Sequence, residues 1–301
     1  MFKLLIISGP TATGKTGIAL KLAKKFNGEL ISADSRQIYR GMDIGTGKDH
    51  PKDVKIHLID IINPNQSFSV SQYYDLAIAT IKEIQNKNKL PIIVGGTGLY
   101  VDSIINPRST FNIKPNYFLR FFLNRLPVKL LQLTLRLLDF KTFKQLNNSD
   151  VNNSRRLIRK IEISLSSRRD AVYGVSTKDK YDILHISLTD NIDNIIKKID
   201  ARIQSRLKMG LFDEIKKLLK KYKWTDPGFN TIAYKEFKTG FTPKNINIWK
   251  IHEHQYAHRQ ITWFKKFSPD YYIDISKPKY KKQIDTLVSK WYNNSYDNTK
   301  G

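Results

Sequence analysis

Through the first third of the chain, short unbroken apolar runs alternate with stretches whose apolar residues recur at helical spacing. Phe2 to Ser8 is the first such run, and its length and continuity predict a strand buried on both faces. Leu20, Leu22, Ala23 and Phe26 then form a helical stripe, and Glu29 to Ala33 reads as a second short strand. His57 to Ile62 predicts a third strand, stopped by Asn63-Pro64. Ser69 is placed to cap a helix running to about Gln85, with Tyr73, Leu76, Ala77, Ile81 and Ile84 on one face. Pro91 to Val94 is another buried strand, and Gly95 to Tyr100 turns into a further helix. Strand–helix alternation of this kind predicts an α/β fold with a doubly wound parallel sheet.

The pattern changes near Asn106. Pro107, Pro115 and Pro127 interrupt it, and Lys129 to Phe143 then predicts one apolar-and-basic helix carrying Leu130, Leu131, Leu133, Leu135, Leu137 and Leu138. Asn147 to Asn153 reads as a polar linker back to the main body. Ser154 to Leu165 is a helix with Leu157, Ile161 and Leu165 on its apolar face, and Asp182 to Leu188 is a strand. A helix from about Asn191 ends at Met209-Gly210, another spans Leu211 to Tyr222, and the C-terminal third is mostly helical. The expected organisation is a first core segment (1–105), a short helical insertion (106–150), and a second core segment with a basic helical C-terminal region (151–301).

Composition narrows the chemistry. The 301 residues contain no cysteine, which removes disulfides, thiolate zinc sites and cysteine nucleophiles. No apolar run approaches the roughly 20 residues of a membrane span, and the chain opens in a core strand with no room for a signal peptide. A soluble cytoplasmic protein, acting as a monomer and away from membranes, is expected. The net charge is +25, from 52 Lys and Arg against 27 Asp and Glu, and a field of that sign favours polyanions such as nucleic acid. The ordinary alternative is compositional drift toward Lys in a chain also rich in Asn and Ile.

The chemistry-bearing stretch is Gly9-Pro-Thr-Ala-Thr-Gly-Lys-Thr16, which fits G-x-x-x-x-G-K-[ST] between a strand and a helix. Gly9 and Gly14 let successive N–H groups turn inward toward an anion. Thr11, Ala12 and Thr13 complete the cradle, Lys15 reaches over the phosphates, and Thr16 can hold Mg²⁺ at the helix N-terminus. Such a loop sees a di- or triphosphate and not the group attached to it, so kinase, NTPase and diphosphate-releasing transferase all remain open.

Asp34 follows the second strand at the same sheet edge. There it is a general base or a magnesium-shell ligand, or else an ordinary turn Asp. The Gly-rich stretch Ile38 to Lys48 suits either a loop over a ligand or plain surface. Thr97 is a ligand contact or an N-cap. Arg155, Arg156 and Arg159 offer phosphate contacts if they are not simply solvated. His258 to Phe267 interleaves basic and aromatic residues, as RNA-contacting surfaces do, although Ile261, Phe264 and Phe267 could equally face a core. Of His252, His254 and His258 only the last two share a helical face. With Glu253 facing away, nothing completes a zinc set.

Taken together, the phosphate loop, Asp34-Ser-Arg-Gln37, Gly41-Met-Asp-Ile-Gly-Thr46, Gly95-Gly-Thr97 and Arg259-Gln-Ile-Thr-Trp263 resemble the bacterial tRNA dimethylallyltransferase family over nearly the whole length. The resemblance implies a P-loop NTPase-like fold and transfer of a dimethylallyl group from dimethylallyl diphosphate to N6 of adenine 37 in the tRNA anticodon loop. It implies diphosphate on the loop residues with Mg²⁺, Asp34 as general base, Thr97 at the reacting centre and Arg202 on the diphosphate. Implied tRNA contacts are Asp34, Ser35, Arg36, Gln37, Arg155, Arg156, Arg159, Tyr234, Lys235, Arg259, Gln260, Thr262, Trp263 and Lys265. Departures from the family pattern are Ala233 before Tyr234-Lys235, Arg206 in place of a methionine, and Asp139-Phe140 in place of Asp-Pro. The rival functions are transfer to AMP, a small-molecule kinase, and a non-catalytic RNA-binding module. The positive charge and basic-aromatic C-terminal helix weigh against the two small-substrate readings.

Overall fold

The computed structural model describes residues 1–107, 110, 113, 115–166 and 180–294. The chain divides into two compact units, one formed by Met1–Asn106 with Ser176–Gly301 and the other by Pro107–Val175. The first begins with β1 (Phe2–Ser8), α1 (Lys15–Lys25), β2 (Gly28–Ser32), β3 (Ile56–His57), α2 (Val70–Asn86), β4 (Leu90–Gly95) and α3 (Gly98–Ile105). The second holds α4 (Tyr117–Leu123), α5 (Val128–Leu138), α6 (Phe140–Lys144), α7 (Asn148–Val151) and α8 (Ser154–Ser166). The first unit resumes with β5 (Tyr181–Thr189), α9 (Ile192–Lys208), α10 (Leu211–Leu219), α11 (Pro243–Phe264), β6 (Tyr271–Asp274) and α12 (Tyr280–Asn293).

All six strands pair in parallel, in the order β3-β2-β4-β1-β5-β6. The unbroken apolar run of β1 is explained by its two faces. Leu5 and Ile7 pack with Ile18 and Leu22 of α1 and with Ile284 and Val288 of α12. Leu4 and Ile6 pack with Tyr73, Ala77 and Ile81 of α2 and with Val101 and Ile104 of α3. Helices on both faces of one parallel sheet make this a doubly wound α/β unit, as the alternation predicts. Because β1 lies between β4 and β5, its following loop opens at the point where the chain's path across the sheet reverses, which is where such sheets hold ligands.

Several boundaries differ from expectation for local reasons. The third strand covers only Ile56–His57 and not 57–62, because Leu58 and Asp60 adopt positive φ (60° and 55°) and leave the pleat. Pairing resumes as a single bridge between Tyr39 and Ile62. Strand β6 was not foreseen in a region that reads as helical. It is four residues long and lies at the sheet edge, with Tyr271 and Tyr272 exposed.

The helical insertion is also larger than 106–150, since α8 belongs to the second unit. Leu157, Ile158 and Ile161 of α8 share a core with Leu131 and Leu135 of α5 and Leu123 of α4. The single helix expected over 129–143 is broken at Asp139, whose carboxylate accepts from the Thr142 N–H at 2.9 Å and caps α6. Below that core lies Glu162, which accepts from Arg120 Nε and Nη2, both at 2.7 Å, and from the Asn116 N–H at 3.0 Å. Burial pushes the Glu162 carboxyl up, but Arg120 and the Asn116 amide outweigh it and hold the group ionised below the ordinary glutamate range.

Leu131 is fully buried at the centre of this small core. Leu131→Ala should lower unfolding stability of the helical unit by about 2–5 kcal/mol, measured by urea denaturation. A loss below about 1 kcal/mol would mean that the helices do not pack as described.

Candidate active site

The loop after β1 owes its shape to close approach. Gly9 has φ 135°, and a Cβ there would collide with the carbonyl oxygen of Leu188 on β5. Thr13 is buried and its hydroxyl donates to the Pro10 carbonyl at 2.9 Å. Gly14, also left-handed at φ 72°, opens α1 without a side-chain cap, so the first helical amides stay free for a ligand. From the far end of the sequence, Gln260 of α11 secures the loop to the neighbouring strand. Its Oε1 accepts from the Thr11 N–H at 2.9 Å, and its Nε2 donates to the Gly96 carbonyl at 2.8 Å.

A cavity of about 710 Å³ opens over this loop. It is lined by the loop, by Asp34, Arg36 and Gln37 after β2, by Asp43, Ile44 and Thr46 to His50, by Gly95 and Gly96, and by Lys198, Arg202 and Arg206 of α9. Asp34 is half-buried, its Oδ1 accepting from the Arg36 N–H at 2.9 Å in an Asx turn. Thr97 is brought beside it. At the N-cap position of α3 it makes no capping bond, and its Oγ1 instead accepts from the Ser35 N–H at 2.9 Å. Arg202 Nη2 donates to Thr11 Oγ1 at 2.7 Å. Asp34, Thr97, Arg202, Thr11, Lys15 and Thr16 are therefore gathered at one sheet edge.

The electrostatics are those of cations crowded together and taken out of water. Burial drives the Lys15 ammonium down to about 7; Asp34 opposes this and Arg202 adds to it. Lys15 meanwhile donates to the Pro10 carbonyl. Burial likewise lowers Arg206, to about 10, with Arg202 contributing. Arg206 Nη1 donates to the Gly45 carbonyl at 2.9 Å.

Several residues expected to meet tRNA are turned inward. Gln260 is buried in the loop clamp just described. Tyr234 is fully buried, and its hydroxyl donates to Glu214 Oε1 at 2.6 Å. Glu214, at the start of α10, in turn accepts from the Asp43, Ile44 and Gly45 amides and so shapes the Gly-rich loop. Arg36 stacks on Tyr256 at 3.7 Å and pairs with Glu253 at 3.2 Å. Gln37 is held between Ser32 Oγ and the Gly47 carbonyl. In the helical unit, Arg159 donates to the Thr110 and Ile113 carbonyls, and Arg156 pairs with Asp150. Arg155, Lys235, Arg259, Thr262, Trp263 and Lys265 remain exposed.

Glu253 is the residue that sequence reasoning missed. It does not face away but is fully buried against the arginines of the cavity wall. The signal was its place in the series Trp249, Glu253, Ala257, Gln260 and Phe264, all buried on one face of α11. His252 and His254 are paired with Glu236 and Asp200 at 2.6 and 2.9 Å. Among the described residues, Asp43, His50 and Asp60 are close enough together to share an ion, but the buried Lys48 ammonium already binds Asp43 and Asp60. No described helix is long and apolar enough to cross a membrane.

Protonated Lys15 should strengthen anion binding, and neutral Lys15 should not. The ratio of inorganic diphosphate affinity in the unaltered protein to that in Lys15→Met should therefore fall as pH rises from about 6 to about 9. Calorimetry should also record net proton uptake at the lysine near neutral pH. A pH-independent ratio would contradict the assignment.

The sequence profile of the IPP transferase family matches residues 37–267. A tRNA dimethylallyltransferase of Roseiflexus sp. (strain RS-1) is 34% identical, the match covering 97% of this chain and 99% of that protein. The crystal structure of a tRNA isopentenylpyrophosphate transferase from Bacillus halodurans is 33% identical and covers 100% of both chains with a TM-score of 0.73. A eukaryotic dimethylallyltransferase acting on tRNA is 25% identical, covering 91% of this chain and 74% of its own, with a TM-score of 0.77. By its sequence and its fold, the chain belongs to the IPP transferase family.

Proposed function

We propose that this protein transfers the dimethylallyl group of dimethylallyl diphosphate to N6 of adenine 37 in the anticodon loop of tRNA, releasing diphosphate. The observation that carries the reading is the placement of Asp34 across one cavity from the phosphate loop and Arg202, in a chain of this family.

The loop amides, Lys15 and Arg202 bind the diphosphate and stabilise the charge that develops on it as the C1–O bond breaks. The N6–C1 bond forms as that bond breaks, and the departing electron pair stays on the diphosphate oxygen. Asp34 accepts the proton that N6 loses. Positioned base catalysis is worth roughly 10²–10⁴ in rate, which matters because the amine lone pair is delocalised into the purine. Thr97, through the Ser35 amide, holds the turn that carries Asp34. The hydroxyl of Thr16, at the start of α1 and lining the cavity, is a hard oxygen donor of the kind that would hold Mg²⁺. Bound there, Mg²⁺ would neutralise charge on the diphosphate. The reaction requires water to be kept from the allyl donor, which it would otherwise hydrolyse. Exposed Arg259 and Trp263 of α11, with Lys265 at its end, offer the charge and stacking surface that RNA needs, and Arg155 adds an exposed cation in the helical unit. The target base must leave the stack to reach Asp34.

The test is to incubate the protein with labelled dimethylallyl diphosphate and either tRNA or AMP, then to analyse nucleosides by mass spectrometry. Isopentenyladenosine in tRNA is expected. Label on AMP instead, or ATP consumption without transfer, would overturn the proposal. Asp34→Asn should lower kcat by about 10²–10⁴, and Arg202→Ala should reduce turnover far more than tRNA affinity. Equal losses of turnover and affinity in Arg202→Ala would contradict its assignment to the leaving group.

A further inference from the structure

Three guanidinium groups crowd one wall of the cavity. Arg36 and Arg202 both approach the Glu253 carboxylate, and Arg206 lies one helical turn beyond Arg202 on α9. The distances divide them. Arg36 Nη1 hydrogen-bonds Glu253 Oε1 at 3.2 Å, and Trp249 Nε1 reaches the same oxygen at 3.4 Å. Arg202 and Arg206 lie at 3.9 and 3.8 Å, near enough to feel the charge but outside hydrogen-bonding range. The carboxylate therefore acts on these two chiefly as a counter-charge. Each has one firm bond elsewhere, Arg202 to Thr11 Oγ1 and Arg206 to the Gly45 carbonyl.

Arg206 cannot easily leave. It is buried beneath the Gly-rich loop, where a Cβ on Gly47 would strike its guanidinium. Arg36 is held by its stacking on Tyr256. Arg202 is the least enclosed of the three, with about a third of its side chain exposed. It is also the one aimed at the phosphate loop. If the three cations repelled one another without compensation, Arg202 is the group that would swing away.

We propose that Glu253 is a positioning residue, a buried counter-charge that lets Arg36, Arg202 and Arg206 share one wall and so keeps Arg202 against Thr11 at the phosphate loop. It touches neither donor nor acceptor on the reading above, and the inference rests on that reading only for Arg202's assignment to the diphosphate. The groups facing it are Arg36 from the turn after β2, Arg202 and Arg206 from α9, and Trp249 and Tyr256 from its own helix; the Asp34 carboxylate also acts on Arg36 and Arg202. The proposal makes Arg206 conditional on Glu253, because the second buried arginine is tolerable only while the acid is present.

The test is a pair of variants, Glu253→Gln and the double variant Glu253→Gln/Arg206→Met, compared with the unaltered protein. Glu253→Gln keeps the size and the Trp249 contact but removes the charge. It should lower kcat by at least about tenfold and lower Tm by several degrees. In Glu253→Gln, inorganic diphosphate should raise Tm less than in the unaltered protein, because Arg202 is no longer held at the phosphate loop. Adding Arg206→Met should recover most of both losses, since one of the three repelling cations is gone. A merely structural glutamate would behave otherwise, because a second buried substitution would add its own loss. A double variant as poor as Glu253→Gln, or worse, would overturn the proposal, as would a Glu253→Gln with unaltered kcat. If the unaltered protein shows no prenyl transfer, the function fails, while the Tm and diphosphate readouts still decide the role of Glu253.

Discussion

The constraint on which the structure depends is the gathering of positive charge at one sheet edge. Lys15, Arg36, Arg202 and Arg206 converge on a single cavity, and burial lowers the pKa of Lys15, Arg202 and Arg206. Such an arrangement is stable only if every cation has a substitute partner. Lys15 uses the Pro10 carbonyl, Arg202 the Thr11 hydroxyl, Arg206 the Gly45 carbonyl, and Arg36 the Glu253 carboxylate. An incoming diphosphate can replace neutral oxygens with charged ones at Lys15 and Arg202 without rebuilding the site. That is preorganisation in the physical sense, because the cost of collecting the cations is met during folding.

A second consequence concerns α11, which works on both of its sides. The buried face, Trp249 through Phe264, supplies Glu253 to the arginines and Gln260 to the phosphate loop. The outer face leaves Arg259, Thr262 and Trp263 exposed, with Lys265 exposed at the helix end. One helix thus shapes the loop and carries the basic-aromatic surface. A short motif that reads as a single RNA-contacting strip is divided by helical geometry into two roles. Tyr234 and Glu214 make the same point at the Gly-rich loop. Its backbone amides are held from beneath, and the tyrosine that looked like a surface contact is part of that support.

What could be read from the sequence follows the same physics. The phosphate loop, β1, β4 and the capped α2 were readable because their signals are local: apolar continuity, turn glycines, and a Ser69–Gln72 capping box that the structure contains. Asp34 and Thr97 were placed correctly at the loop edge because parallel sheets present strand ends together. Two of the failures were nonlocal. Glu253 reads as a solvated charge in its own helix, and its partners come from residues 36, 202 and 206. The extent of the helical unit was misjudged because the apolar face of α8 cannot say which helices it meets. The third strand was overextended because nothing in Leu58 or Asp60 announces a positive φ.

The account stands or falls on where a diphosphate binds. A crystal structure with inorganic diphosphate and magnesium should place the anion among the amides of Gly9 to Thr16, within hydrogen-bond reach of Lys15 and Arg202, with Gln260 still joined to Thr11. The contradicting result is an anion elsewhere, for example in the groove lined by Lys24, Lys52, Lys55 and Lys89, with the loop after β1 left vacant.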